Sequence, residues 1–255
     1  MINEIQTLLI DGIMQIRINR PAKKNALTVA MYEALVDSLI LAEQDPEVKV
    51  ILFTGTEGAF TAGNDLQDFL KSPPKDDSAP VIRFINLLPK AKKPMIAAVN
   101  GMAVGIGTTM LLHCDLVYAS RSAMFVLPFI NLALVPEAAS SLLLPRIAGY
   151  HKAAELLMLG EPFDPQVALE ARIINAICAD DQLLDTAMEA AKKLTEKPQA
   201  ALLATKALLK QEDVFVSSRI ESELSEFIKH LSSAESKEAF TAFLEKRKPD
   251  FSKFD

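Results

Sequence analysis

The amino-acid sequence predicts an α/β protein with a helical C-terminal region. Two largely apolar runs, residues 48–54 (which include Lys49) and 95–99, have the length and flanking turn residues of strands buried on both faces. Each run is followed by a glycine-containing segment and then by a helical pattern, whereas the pattern from Asp181 onward is almost wholly helical. Strand–helix units followed by helices are typical of an α/β core with a helical appendage. With 255 residues, 50% of them hydrophobic, the chain can build a substantial core.

The elements can be justified in order along the chain. Met14, Ile16 and Ile18 alternate with polar residues, which predicts a half-exposed strand. Thr28 is a suitable N-cap for a helix that reaches about Gln44. The other elements are predicted from apolar runs, caps and turn residues: a loop over 58–66, a helix capped by Ser78 that reaches about Leu88, a turn and helix over 101–113, strands over 115–119 and 123–126, helices over 136–144 and 150–159, and a helix capped by Asp164.

The C-terminal part of the sequence is predicted to consist of successive helices. Ser232 and Glu235 have the spacing of a capping box for one of them. Pro198 separates two helical runs, so we place the boundary between two regions there. The predicted division is a core over residues 1–198, which carries the functional site, and a helical region over residues 199–255.

Composition and charge exclude several classes of function. The net charge is −6, which argues against broad binding to nucleic acid, since such binding needs a basic surface. Cys114 and Cys178 stand far apart, so we expect reduced core cysteines rather than a disulfide or a zinc site. The stretch 95–114 lacks charged residues, but the glycines and the Asn100-Gly101 turn within it favour a strand and a helix over a membrane span. The N-terminus has no signal-peptide pattern, so the expected location is the cytoplasm.

Three common kinds of site find little support in the sequence. The histidines His113, His151 and His230 lie in separate helical patterns, and no Gly-x-Ser-x-Gly segment accompanies them, which argues against a serine-hydrolase triad. No cluster of histidine, cysteine and acidic residues predicts a metal site. The segment that begins at Gly105 follows a strand and opens a helix, but it lacks the third glycine of a dinucleotide-binding fingerprint. Neither a metal site nor a nicotinamide-binding site is therefore expected.

Two glycine-bearing junctions between a strand and a helix remain as candidates for chemistry. The first contains Ala62-Gly63-Asn64, and the second contains Gly105-Ile106-Gly107. Glycine lets backbone N–H groups approach a ligand closely, and the start of a helix adds a positive dipole end. Two such junctions side by side could direct two N–H groups at one oxygen, which would form an oxyanion hole. Taken singly, each junction favours the interpretation as an ordinary turn, and only the pair points to chemistry.

Four motifs in register resemble the crotonase, or enoyl-CoA hydratase/isomerase, superfamily. They extend in the family's order over nearly the whole chain up to about Cys178, and the helical tail also fits. The matching segments are Asn19-Arg20-Pro21-Ala22-Lys23-Lys24-Asn25-Ala26-Leu27, Phe60-Thr61-Ala62-Gly63-Asn64-Asp65-Leu66, Lys93-Pro94-Met95-Ile96-Ala97-Ala98-Val99-Asn100-Gly101 and His113-Cys114-Asp115-Leu116-Val117-Tyr118-Ala119.

The resemblance implies a spiral of ββα units with a C-terminal helical trimerisation region, and therefore a homotrimer or a dimer of trimers. It implies acyl-CoA thioester substrates, for which coenzyme A is part of the substrate and not a separate cofactor. The oxyanion-hole donors should be the backbone N–H groups of Asn64 and Ile106. The substrate-binding residues that it implies are Ala62, Gly63, Asp65, Leu66 and Gly105, together with Lys23 and Lys24 (and the nearby Arg20) in a basic loop that suits the phosphates of coenzyme A.

The acid–base residues distinguish the branches of this superfamily. Hydratases use two glutamates, and at those two positions this chain has Thr109 and Phe129, so hydration lacks its acid–base pair. Glu137 lies where the Δ3,Δ2-enoyl-CoA isomerase branch has its single glutamate, and one carboxylate can carry a proton from C2 to C4. Without the resemblance, the residues favour a helix-start Glu137 that only complements the helix dipole. The alternatives are another crotonase-type reaction, with Glu137 as base or nucleophile of a hydrolase or dehalogenase, and a non-catalytic RNA-binding homologue.

Overall fold

A computed structural model describes residues 4–56, 58–71, 73–74, 76–210 and 213–254. In this part of the chain, the strands form a six-stranded sheet in the order β1-β2-β3-β5-β7-β9 and a three-stranded sheet in the order β4-β6-β8. Every pairing is parallel except the antiparallel one between β1 and β2. The strands are β1 Ile5–Ile10, β2 Ile13–Ile18, β3 Val50–Gly55, β4 Ala59–Thr61, β5 Met95–Val99, β6 Met102–Val104, β7 Leu116–Ser120, β8 Met124–Val126 and β9 Ala176–Cys178.

The helices complete a spiral of ββα turns. Strands β3, β5 and β7 of the large sheet are each followed by a short strand of the small sheet and then by a helix, so the predicted fold class is confirmed. The helices are α1 Val29–Gln44, α2 Leu66–Lys71, α3 Pro80–Leu87, α4 Ile106–Thr109, α5 Ser140–Ala148, α6 Tyr150–Ala154, α7 Pro165–Glu170, α8 Leu183–Thr195, α9 Gln199–Leu209, α10 Asp213–Leu231 and α11 Ala234–Leu244. Single turns of 3-10 helix lie at Pro21–Lys23, Leu88–Lys90, Met110–His113, Ile130–Leu132 and Phe251–Lys253, and a π-helical turn lies at Glu155–Leu159.

The central strands of the large sheet are buried on both faces, as their apolar runs predict. On β3, Ile51 and Phe53 belong to the main hydrophobic core, whereas Val50 and Leu52 belong to a second cluster on the opposite face. Helix α8 supplies the cover for that second face through Leu183, Ala187 and Ala191. Alternate side chains of a strand point to opposite faces, so a strand covered on both sides reads as a continuous apolar run.

The C-terminal helices fold back onto the core of their own chain. Ile220 and Phe227 of α10 and Phe240 of α11 are buried in the main hydrophobic core. Pro198 lies between α8 and α9, as the sequence predicts, and α8 packs on the large sheet. Among the described residues, no helix has both the length and the apolar character that a membrane crossing requires.

Several predicted elements need correction near the sheet edges. The strand at Met14–Ile18 is not half-exposed, because α8 packs against the other face of β2 and Gln15 is buried beside Arg17. Strand β1 itself is not apparent from the sequence, since Leu8 and its neighbours are apolar but exposed. Strands β4, β6 and β9 have only three residues each, which is too short for a period-2 pattern.

Three predicted helix starts also differ from the structure. The helix after residue 78 begins at Pro80 without a side-chain cap, and the Ser78 hydroxyl donates to Asp76 instead. The cap of α11 is Ser233, not Ser232, because the N–H of Ser236 donates to the Ser233 hydroxyl. The helix predicted from Pro136 begins only at Ser140, so Glu137 precedes the helix. By contrast, Thr28 and Asp164 cap α1 and α7 as predicted.

Candidate active site

The first glycine-bearing junction is fixed by a buried asparagine. The Asn25 side chain is fully buried, and its amide donates to the Ala59 carbonyl oxygen at 2.7 Å. The Thr61 hydroxyl donates to the Asn25 carbonyl oxygen at 2.7 Å and accepts the N–H of Gly63 at 3.1 Å. These contacts anchor the end of β4, so the backbone that follows has a defined course.

The two junctions lie against each other. Gly63 has φ +81°, and a Cβ added there would lie 2.8 Å from the carbonyl oxygen of Val104, the residue before Gly105. A Cβ on Gly107 would lie 2.6 Å from Cγ2 of Thr61. Both distances are shorter than ordinary van der Waals contact, so this close approach of the two segments requires glycine.

The N–H groups of Asn64 and Ile106 have no acceptor among the described residues. Asn64 forms a parallel bridge with Leu27, in which the N–H of Leu27 donates to Gly63 and the N–H of Asp65 donates to Leu27, each at 2.8 Å. In such a bridge the N–H of the central residue, Asn64, points away from the partner strand. Ile106 is the first residue of α4, where the N–H has no partner within the helix. Two free N–H groups on adjacent junctions are what an oxyanion hole requires.

A cavity of about 640 Å³ opens beside these junctions. It is lined by most of the residues that the sequence predicts for the site: Ala62, Gly63, Asn64, Asp65, Leu66, Gly105, Ile106, Glu137 and Lys23. Most of the remaining lining is apolar and comes from distant parts of the chain: Phe69, Ile82, Phe129, Leu134, Leu224, Phe227 and Phe240. The cavity therefore combines a few polar groups with a large apolar volume, as small-molecule sites commonly do.

Glu137 is the buried carboxyl group of this cavity, with 5% of the residue exposed. Its Oε1 accepts a hydrogen bond from the Thr109 hydroxyl, and its Oε2 has no partner among the described residues. Burial raises the pKa of the Glu137 carboxyl to about 8; the Thr109 hydrogen bond opposes this rise, and the charge of Glu223 adds to it. Such a group is a base matched to neutral or slightly alkaline pH.

Glu137 is held by a strained turn, not by a helix. Ala138 and Ala139 both have left-handed backbone conformations, with φ of 57° and 56°. Non-glycine residues rarely adopt this conformation, and strain of this kind is concentrated at functional sites. The imidazole Nε2 of His113 lies 2.7 Å from the Ala138 carbonyl oxygen. Burial lowers the pKa of His113 to about 4, so the ring is neutral at pH 7 and Nε2–H is the donor.

Tyr32 is a polar residue of the cavity that the sequence does not single out. Its hydroxyl donates to Oδ1 of Asn64, and burial together with the charge of Glu137 raises the pKa of the phenol well above its usual value. The tyrosine therefore stays protonated and can hold the Asn64 amide in one orientation. In sequence it could be read only as an apolar contact of the first helix, because nothing local indicates that it meets residue 64.

The basic residues of the predicted coenzyme A loop lie in different environments. Lys23 lines the cavity, whereas the Lys24 side chain is exposed and is not among the described residues that line it. The Arg20 guanidinium instead forms a 2.7 Å ion pair with Asp65 and a second one with Glu4. Asp65 also accepts the N–H groups of Gln67 and Asp68, so this carboxylate organises the start of α2.

Arg172 stands where the resembling family commonly has glycine, and the structure explains that preference. Its φ is 59°, so the chain takes a left-handed turn just after α7. Glycine adopts this conformation without steric cost. The difference from the family is therefore one of backbone conformation and has no evident part in the site.

Comparison with known proteins identifies the family. The chain matches the family described as "Enoyl-CoA hydratase/isomerase" over residues 10–253. It is 36% identical over 248 residues to the 1,2-epoxyphenylacetyl-CoA isomerase of Escherichia coli K12, covering 94% of this chain and 95% of that protein. It is 33% identical over 243 residues to the 2,3-dehydroadipyl-CoA hydratase of the same organism, covering 94% of each.

A solved structure agrees with the sequence comparison. The enoyl-CoA hydratase/isomerase from Pseudoalteromonas atlantica T6c superposes with a TM-score of 0.94 at 38% identity, covering 98% of this chain and 100% of that one. The spiral of ββα units and the paired glycine junctions are those that the resemblance implies, and the comparisons cover nearly the whole chain. The chain belongs to the enoyl-CoA hydratase/isomerase family of crotonase-type enzymes.

Proposed function

We propose that the chain is a Δ3,Δ2-enoyl-CoA isomerase in which Glu137 is the acid–base group. The observation that carries this proposal is the Oε2 atom of Glu137, a buried and partner-free carboxylate oxygen in a largely apolar cavity. The other acidic side chain that lines the described cavity is Asp65, and its oxygens are used by Arg20 and by backbone N–H groups. One available carboxylate suits a reaction that needs one proton carrier.

The proposed reaction moves a single proton. The thioester oxygen accepts the N–H groups of Asn64 and Ile106, which stabilise negative charge as it develops. Glu137 removes a proton from C2, the electrons of the C2–H bond form a dienolate, and the C3–C4 double bond becomes part of the conjugated system. The protonated Glu137 then returns the proton to C4 as the dienolate collapses to a C2–C3 double bond. The carboxylate is regenerated, and no water or second acid–base residue takes part.

Thr109 and Phe129 favour isomerisation over hydration. Thr109 donates its hydroxyl to Glu137, so at a position where hydratases have an acid–base glutamate this chain has a residue that orients the base. Phe129 is buried and lines the cavity at the other position. Neither residue can activate water. Because one relative is named a hydratase, hydration must nevertheless be assayed beside isomerisation.

The ligand that we propose is an acyl-CoA thioester, with no metal or resident cofactor. The apolar lining would receive the acyl chain, and Lys23 would offer a positive charge to the phosphates of coenzyme A. We further propose a homotrimer or a dimer of trimers, since Leu208, Leu209 and Phe215 of the C-terminal helices are 69%, 82% and 65% exposed. Light scattering at micromolar concentration tests the assembly, and a clean monomer would contradict it.

The activity itself is tested by incubation of the purified protein with trans-3-hexenoyl-CoA while the absorbance of the conjugated thioester is followed. We expect its steady formation, together with negligible hydration of crotonyl-CoA. Equal turnover of the two substrates would contradict the proposal. Trapping of a covalent acyl-enzyme at Glu137 would favour a hydrolase or dehalogenase in its place.

A further inference from the structure

The turn that presents Glu137 is held from the C-terminal region of the chain. Glu223 of α10 is 6% exposed, and its carboxylate bridges two backbone N–H groups just beyond Glu137. Oε2 accepts the N–H of Ala139 at 2.6 Å, and Oε1 accepts the N–H of Ser141 at 2.9 Å. A carboxylate that accepts two N–H groups fixes both their distance and their direction.

These contacts lie at the part of the turn where the backbone conformation is unfavourable. Ala138 and Ala139 are the two left-handed residues between Glu137 and the start of α5. Conformations of this kind persist only when the surroundings over-determine them. His113 contacts the turn at the Ala138 carbonyl oxygen, and Glu223 contacts it at the next N–H group. The turn is therefore held at both the carbonyl oxygen and the N–H of the peptide group that joins Ala138 to Ala139.

The same helix also contributes to the cavity. Leu224 and Phe227, which follow Glu223 on α10, line the apolar part of the site. A displacement of α10 would thus change the wall of the acyl pocket and the support of the base together. The structure links substrate enclosure and base position through one helix.

We propose that Glu223 is a positioning residue for Glu137, which it acts on through the turn at residues 138–141 and through its charge. This proposal rests on the proposed function, because it assumes that Glu137 is the base. Glu223 does not line the described cavity, so it is not expected to touch the substrate. Its role is to hold the Glu137 carboxylate toward C2 and to keep that carboxylate basic.

The charged and titratable groups around the pair come from several elements. Tyr32 of α1 interacts electrostatically with Glu137, and the Thr109 hydroxyl of α4 donates to it. Arg219, one turn before Glu223 on α10, opposes the rise that burial causes in the pKa of Glu223. Neutral His113 contacts only the backbone of the turn. Among these groups, Glu223 adds negative charge near Glu137 and so contributes to its raised pKa.

The test compares three variants of α10. Glu223→Gln keeps the shape but removes the charge and one of the two acceptors. We expect kcat on trans-3-hexenoyl-CoA to fall about tenfold to a hundredfold, with a much smaller change in KM, because misplacement of a catalytic group acts on the chemical step. Glu223→Asp keeps the negative charge but has a shorter side chain. We therefore expect a lowered kcat without a change in the midpoint of the Glu137 titration. Glu221→Gln, which alters an exposed glutamate of the same helix, should leave both unchanged.

The decisive readout is the titration of Glu137, which does not depend on turnover. Carbon NMR of the labelled carboxyl groups, assigned with Glu137→Gln, should give a midpoint near 8 in the unaltered protein and a lower one in Glu223→Gln. A wild-type kcat and an unchanged midpoint in Glu223→Gln would overturn the proposal. If Glu223→Gln does not fold, a wild-type kcat in Glu223→Asp would overturn it equally. An unaltered protein that shows this titration but does not isomerise the substrate would refute the proposed function instead.

Discussion

The two halves of the candidate site are built in different ways. The oxyanion side consists of backbone N–H groups on two short junctions, the first of which buried Asn25 anchors and which pack directly against each other. The base side consists of one side chain on a strained turn, and its supports are Thr109, His113 and Glu223. Glu223 is 84 residues from the Ala139 N–H that it accepts. The oxyanion side is thus made of backbone donors whose glycine segments can be recognised in the sequence, whereas the base side is one side chain whose supports come from separate parts of the fold.

The largest expected effect comes from the base side. Glu137→Gln keeps the size of the side chain and can still accept the Thr109 hydroxyl, but it cannot take the C2 proton. We expect kcat on a 3-enoyl-CoA to fall about 10²–10⁴-fold, which is the usual contribution of a general base. Binding of a saturated acyl-CoA, measured by calorimetry, should change little because the N–H groups of Asn64 and Ile106 remain.

Glu189→Gln is the matched control for this substitution. Glu189 is an exposed glutamate of α8, far in sequence from the junctions. Its replacement should change neither kcat nor the melting temperature appreciably. Near-wild-type kcat in Glu137→Gln would show that the proton is carried by a different group.

A substitution at Gly63 should disrupt the oxyanion hole most directly. An alanine there would place a Cβ 2.8 Å from the Val104 carbonyl oxygen and would force the two junctions apart. We expect Gly63→Ala to lower kcat about 10²–10³-fold, as the loss of one oxyanion donor does. Gly149→Ala is the control, because Gly149 also has a positive φ, 80°, but no atom lies within 4 Å of its added Cβ. If both variants lose activity to the same degree, backbone strain and not the contact between the junctions is the cause.

The raised pKa of Glu137 predicts a cost in stability that depends on pH. In the folded protein the carboxyl stays protonated up to about pH 8, whereas in the unfolded chain it ionises near its ordinary value of 4.5. The unfolded state therefore binds fewer protons between these values, and the free energy of unfolding falls as pH rises through that window. The cost is about 1.4 kcal/mol for each unit of the shift.

Glu137→Gln should accordingly be more stable than the unaltered protein at pH 8, by a margin reduced by the burial of the amide. The margin should shrink as pH falls, and below about pH 4.5 the variant should have no advantage, because the carboxyl of the unaltered protein is then protonated in both states. Chemical denaturation at several pH values measures it. A margin that does not vary with pH would mean that Glu137 ionises normally in the folded state.

A smaller effect is expected where the two sides meet, at Tyr32. Tyr32→Phe removes the hydroxyl that donates to Asn64 but leaves the aromatic ring in the core. One hydrogen bond of this kind contributes about 0.5–1.5 kcal/mol, so we expect kcat to fall about two- to tenfold. Tyr150→Phe, on a side chain that is 72% exposed, should have no effect. An unaltered kcat in Tyr32→Phe would show that the orientation of the Asn64 side chain does not matter to the reaction.

The same contrast explains what the sequence could predict. The buried strands β3 and β5 and both glycine junctions are encoded by contiguous residues, so pattern and resemblance located them. The short strand β6 and the edge strand β1 are set by pairing with distant residues, and a local pattern does not record such pairing. Glu137 could be chosen from the family pattern, but the late start of α5 and the left-handed Ala138 and Ala139 could not. Alanine gives no local signal for a conformation that tertiary contacts impose.

The central claim is that one buried carboxylate carries the same proton from C2 to C4. It is tested most directly with trans-3-hexenoyl-CoA that carries deuterium at C2, converted in ordinary water and analysed by mass spectrometry and NMR in the first turnovers. Because Oε2 of Glu137 is buried and has no partner among the described residues, we expect a measurable share of the label to reappear at C4 of the product. Complete loss to water of the deuterium removed from C2, with none of it at C4 even in the first turnover, would contradict the account.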